Sequence, residues 1–134
     1  MLLTQTNLAT HEFDYIVPVP LHWARYAARG FNQAHEMAKV IGSVRNKPVR
    51  RVVRRVHKTA FQSSLSSKER QENVKSAFDI HYWYKLTGTD FLKNKHVLIV
   101  DDLCTTGATL VHVAKVLAKF KPASLTAFVG CRAV

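Results

Sequence analysis

Residues 96 to 110, HVLIVDDLCTTGATL, run from a continuous apolar stretch straight into two adjacent carboxylates and then a small, hydroxyl-rich turn. A short run such as HVLIV (96 to 100), apolar on both sides of the pleat, is the mark of a central parallel strand covered on both faces. The segment after it, TGATLVHVAKVLAKF, repeats apolar residues at helical spacing up to Pro122. A strand followed by a helix of this kind is half of a β-α-β unit, so the expected fold class is α/β, a parallel β-sheet flanked by helices with right-handed crossovers.

The remaining segments agree with that class. YIVPVPL (15 to 21) reads as a buried strand running into a proline-stiffened loop, and NQAHEMAKVIG (32 to 42) as a helix with Asn32 as cap and Gly42 as stop. PVRRVVRRVH (48 to 57) alternates basic and β-branched residues in part, which predicts an edge strand with one solvated face. Ser66 with Glu69 forms a capping box that opens a short helix in SSKERQENVKSAF, before a brief strand in AFDI. SLTAFVGC (124 to 131) supplies a last strand. Met37 and Phe31 fit the core. At 134 residues and 47% hydrophobic content the chain suits one domain. No linker, repeat or low-complexity segment interrupts it.

In open sheets of this type the ligand lies beyond the carboxyl ends of the strands, where Asp101 and Asp102 fall. Thr105, Thr106, Gly107, Ala108 and Thr109 then lead into a helix whose first amides lack intrahelical partners and whose dipole favours anions. Small residues let a phosphate approach the backbone, and threonine hydroxyls add hydrogen bonds. Two carboxylates just before such a turn can accept the hydroxyls of a sugar that carries the phosphate. Asp and Thr also cap helices in the ordinary way, but capping accounts for one of each rather than two acids and three threonines around a glycine. No G-x-G-x-x-G opens a helix, and no G-x-x-x-x-G-K-[ST] is present.

Charge and cysteine content bound the partners. Twenty Lys and Arg against nine Asp and Glu give a formal charge of +11, which attracts polyanions such as nucleic acid, suits a phosphorylated small molecule, and also serves plain solubility. Cys104 and Cys131 form no C-x-x-C pair and neither sits among histidines at zinc-ligand spacing, so reduced thiols and no structural metal are expected. No apolar run approaches the roughly 20 residues that cross a bilayer, and the first residues lack the pattern of a signal peptide. The expectation is a cytoplasmic domain without a membrane span.

VLIVDDLCTTGAT resembles the diphosphate-sugar signature of the type I phosphoribosyltransferases: four apolar residues, two acids, and a T-T-G-x-T-like turn. The resemblance implies that Asp101 and Asp102 meet the ribose 2- and 3-hydroxyls of phosphoribosyl diphosphate, and that residues 105 to 109 wrap its 5-phosphate. VPVPLHWARYAARGFNQA (17 to 34) and the spaced set Arg55, Thr59, Gln62, Leu65, Arg70, Asn73, Val74 and Phe78 are similar to the ComF branch, associated with DNA uptake in natural competence, and to the GntX proteins. Members of the branch commonly carry a cysteine-rich zinc segment before this domain. Residues 1 to 134 carry none, so a single phosphoribosyltransferase-like domain is expected, as a truncated or short form. Purine-salvage relatives place an aspartate where this chain has Thr105, which argues against purine salvage.

By position after the first strand, Pro18-Val19-Pro20-Leu21 looks like the loop that receives pyrophosphate, with Val19, Pro20, Leu21 and Arg29 as candidates; a plain stiff connection reads the same way. Arg25 and Arg29 share one face if their segment is helical. The run RNKPVRRVVRRVHK (45 to 58) holds seven Lys and Arg and no acid, with Trp83 and two tyrosines farther on in HYWYK. Basic residues with aromatics bind single-stranded nucleic acid by backbone attraction and stacking, although aromatics also simply pack. Arg50, Arg51, Arg54 and Arg55 are the candidates.

The reading that results is an Mg²⁺-dependent, glycosyltransferase-class domain that binds phosphoribosyl diphosphate or ribose 5-phosphate, with Asp101 and Asp102 also the metal candidates, directly or through the ligand. Transfer of ribose 5-phosphate would release pyrophosphate. The alternative is a non-catalytic competence protein that binds single-stranded DNA through its basic surface.

Overall fold

The computed structural model describes residues 11–21, 30–56, 78–88, 90–104 and 107–132. The apolar strand is β4, His96–Cys104, and it lies between β1, Tyr15–Pro18, and β5, Ser124–Arg132, in a three-stranded parallel sheet ordered β1-β4-β5. Ile16, Leu98, Ile99, Val97 and Val100 are all at or below 1% exposure, so the strands are covered on both faces as the continuous apolar run requires. One face is closed by α1, Gln33–Arg45, over Phe13, Ile16, Leu98 and Val100. The other is closed by α3, Ala108–Ala118, through Leu110, Val113, Val116 and Leu117 against Val17, Val97, Ile99 and Ala127. A small antiparallel hairpin of β2, Val53–Arg55, and β3, Phe78–Ile80, joins that second layer. It is followed by the short helix α2, Tyr82–Thr87.

The helix α1 starts where its cap predicts: the Asn32 side chain accepts the amides of Ala34 at 3.0 Å and His35 at 3.4 Å. It does not stop at Gly42. Gly42 is a buried interior residue, and the helix continues to Arg45 and ends on Asn46, left-handed at φ 53°. The glycine is needed for contact, since a Cβ there would lie 2.7 Å from the Lys47 carbonyl oxygen and 3.0 Å from Val49 Cγ2. With Ala34 and Ala38 it forms the stripe of small residues that lets α1 sit close to the sheet.

Four other expectations change. The segment 48 to 57 is not one edge strand: Val49 bridges Ile16 in parallel on the outer side of β1, and the chain then leaves the sheet to pair Val53–Arg55 with β3. β4 runs past Val100 through both aspartates to Cys104, because β5 is equally long and supplies backbone partners for Asp101, Leu103 and Cys104. The helix α3 ends at Ala118 rather than Phe120, with Phe120 and Lys121 in closing turns and Lys121 left-handed at φ 54° before Pro122. Phe31 is 47% exposed and not in the core, whereas Met37 packs beside it. The helix expected after Ser66 and Glu69 lies outside the described residues.

Candidate functional site

The carboxyl ends of β1 and β4 meet. Their register pairs Pro18 with Val100, and the Val19 amide donates to the Val100 carbonyl at 2.8 Å. The loop Val19-Pro20-Leu21 therefore lies beside Asp101 and Asp102, which brings the two loop candidates of the sequence to one edge of the sheet. Asn32 fixes the first of them, since its Nδ2 donates to the Val19 carbonyl at 3.1 Å while its Oδ1 caps α1. The sequence marks Asn32 only as a cap; that it also anchors the loop 13 residues earlier depends on tertiary proximity and leaves no local signal. Arg25, Arg29, Thr105 and Thr106 lie outside the described residues.

The two aspartates are not the pair of surface carboxylates that a strand end suggests. Asp101 is 7% exposed, and Asp102 is half-buried. The Asp101 carboxylate turns back on its own chain, accepting the Asp102 amide at 2.9 Å and the Leu103 amide. Burial, first, and then the hydrogen bond and negative charge of Asp102 push the Asp101 carboxyl up to about 6; the two backbone amides oppose the rise without cancelling it.

Next to the acids, Gly107 occupies the cap position of α3 with φ 81°, a left-handed backbone suited to glycine. It has no side chain to bond the amides of the first turn, which lie at the positive end of the helix dipole, where negative charge is favoured. Ala108 and Thr109 form the first turn, Ala108 exposed and Thr109 half-buried. A Cβ on Gly107 would meet no atom within 4 Å, so the constraint there is the backbone angle rather than space.

The four candidate arginines separate. Arg50 and Arg51 are exposed. Arg54 faces Asp79 across the hairpin, its Nε donating to the Ile80 carbonyl at 3.4 Å and its guanidinium 3.6 Å from the Asp79 carboxylate. Arg55 lies over the Phe78 ring at 4.6 Å. Arg55 and Phe78, the first and last residues of the ComF-like spaced set, are thus cross-strand partners that close the segment between them. Of the HYWYK aromatics, Tyr84 packs on Phe91 at 5.4 Å, while Tyr82 and Trp83 face solvent. Among the described residues no three His, Cys, Asp or Glu side chains gather as a metal-binding group, and no helix is long and apolar enough to cross a membrane.

Residues 26–133 match the family described as phosphoribosyl transferase domain. Competence protein F of Haemophilus influenzae is 35% identical over 114 residues, which cover 82% of this chain and 48% of that protein. Competence protein ComFC of Bacillus subtilis is 33% identical over 84% of this chain and 42% of its own length. DNA utilization protein YhgH of Escherichia coli K12 is 32% identical, covering 89% and 49%. The chain spans about half the length of the curated relatives it matches. A solved structure of the allosteric regulatory enzyme of purine biosynthesis superposes with TM-score 0.54 at 18% identity, covering 92% of this chain and 23% of that one, a likeness of fold.

Proposed function

Because the chain belongs to the phosphoribosyl transferase family, in its ComF-like branch, we propose that it binds phosphoribosyl diphosphate with Mg²⁺ at the carboxyl edge of its sheet. The observation that carries this reading is the juxtaposition of the Val19-Pro20-Leu21 loop with the Asp101-Asp102 pair across the 2.8 Å Val19 to Val100 hydrogen bond, with the glycine-led start of α3 next along the chain. Asp102 accepts the ribose hydroxyls, with Asp101 behind it. Thr105, Thr106, Gly107, Ala108 and Thr109 hold the 5-phosphate, while the loop of Val19, Pro20 and Leu21, with Arg29, receives the diphosphate.

The residues fit an ion shared with the ligand. Asp101 and Asp102 would hold an Mg²⁺ shared with the ligand's phosphates, and neutralising the diphosphate is the chemistry it would supply. The protein's own part is to orient the sugar, to hold the 5-phosphate on backbone amides, and to place fixed dipoles where charge develops at C1. In transfer, the bond from C1 to the diphosphate oxygen breaks as a bond from C1 to a nucleophile forms, and pyrophosphate leaves. Asp101 and Asp102 position the ribose and do not attack it.

Titration calorimetry with phosphoribosyl diphosphate and Mg²⁺ tests the reading, alongside thermal unfolding. A ligand at one hundred times its dissociation constant adds about 2.7 kcal/mol of stability. No heat and no shift, with either phosphoribosyl diphosphate or ribose 5-phosphate, contradict it.

A second activity is supported by the exposed Arg50 and Arg51 on a chain of formal charge +11: attraction of single-stranded DNA to the basic surface, with or without sugar transfer. Arg54 and Arg55 belong to the hairpin, Arg54 paired with Asp79 and Arg55 over the Phe78 ring.

A further inference from the structure

We propose that the outward face of α2, with the cations of the adjoining hairpin, is a base-stacking platform for single-stranded nucleic acid. The inference rests on the basic-surface reading above and moves its centre from the arginine run to the aromatic residues. No residue of α2 is buried, and Tyr82, Trp83 and Leu86 are 64%, 58% and 82% exposed. Spacings of three and four residues put these three side chains on one patch. The rings at its start are already ordered: His81 stacks on Tyr82 with centroids 4.5 Å apart and planes at 27°.

The same patch adjoins positive charge. The His81 amide donates to the Val52 carbonyl at 2.6 Å, which seats the start of α2 against the hairpin. Lys85 and Arg54 both reach the Asp79 carboxylate, at 2.7 and 3.6 Å, so two cations share one anion and the trio keeps a net positive charge. Cations on a chain of +11 select a polyanion, and exposed planar rings select one whose base faces are unpaired, because a duplex hides those faces in its stack. An apolar protein segment would cover Trp83 and Leu86 but would gain nothing from Arg54 and Lys85.

Fluorescence anisotropy with a labelled oligothymidylate, across a salt series, is the test. Trp83→Ala should weaken binding about five- to hundredfold at fixed salt while leaving the salt slope unchanged, and adding Tyr82→Ala should weaken it further. Lys85→Gln should instead lower the log-log slope by about 0.7. Both aromatic side chains are mostly solvent-exposed, so the variants should keep the parent's circular dichroism and its affinity for phosphoribosyl diphosphate. An oligouridylate arm assigns the preferred sugar, and tighter binding of either polymer supports the platform. If the double aromatic variant binds oligothymidylate as the parent does, or an abasic oligomer binds the parent equally well, the platform is overturned while the basic-surface reading stands. A parent without affinity at low salt overturns both.

Discussion

Charged groups are handled in opposite ways at the end of β4 and in the β2-β3 hairpin. At the hairpin, charges find partners: Arg54 of β2 and Lys85 of α2 meet Asp79, whose carboxyl is held below its ordinary range chiefly by the Lys85 hydrogen bond, and Arg55 lies on Phe78. At the end of β4, Asp101 is carried into the sheet by backbone pairing and buried beside a second carboxylate, and none of the described ion pairs includes it. The hairpin solves a stability problem. The strand end instead holds a carboxyl group whose titration is raised by burial and a like charge, at the carboxyl edge of a parallel sheet, and the proposed ligand site rests on that contrast.

The sharpest way to break this contrast is pH. Asp101 binds its proton more tightly folded, near 6, than unfolded, near 3.8, so stability should fall as pH rises from about 4 to 6 and level off above. At 1.36 kcal/mol per pKa unit, the rise corresponds to about 3 kcal/mol. Urea unfolding from pH 4 to 8 should therefore show Asp101→Asn gaining on the parent as pH increases, by up to that amount. A parent and variant whose difference does not change with pH would place Asp101 in an ordinary exposed setting.

Gly107→Val comes next. The left-handed φ of 81° costs a β-branched residue roughly 1–2 kcal/mol, and the displaced loop should lose ribose 5-phosphate affinity. Since the space around the glycine is open, Gly107→Asn should recover most of the stability, because Asn tolerates this backbone conformation. Equal ribose 5-phosphate affinity in Gly107→Val would move the phosphate elsewhere. The smallest effect belongs to the hairpin: Asp79→Asn breaks half-exposed pairs and should cost under about 1 kcal/mol, declining with added salt. A larger, salt-independent loss would mean that the hairpin charges also carry buried structure.

What the sequence discloses follows the range of the forces involved. The alternation of β1, α1, β4, α3 and β5, the cap at Asn32 and the acidic pair with its glycine turn are legible because each rests on local periodicity or backbone chemistry. The branch resemblance was legible in spaced motifs, and the family match agrees with it. Contacts between distant segments are not legible. Gly42 reads as a stop and is a packing site against Lys47 and Val49, Phe31 reads as core and faces solvent, and β4 outlasts its apolar run because β5 lies alongside. The burial of Asp101 is of the same kind, since nothing in VDDL separates the first acid from the second until the strand is seen to continue.

The central claim is that the carboxylate pair at the end of β4 is the ligand site. Titration calorimetry of the Asp101→Asn, Asp102→Asn double variant with phosphoribosyl diphosphate and Mg²⁺ tests it most directly, with circular dichroism to verify the fold. The account predicts a folded protein, at neutral pH no less stable than the parent, that has lost Mg²⁺-dependent binding; an affinity equal to the parent's would contradict it.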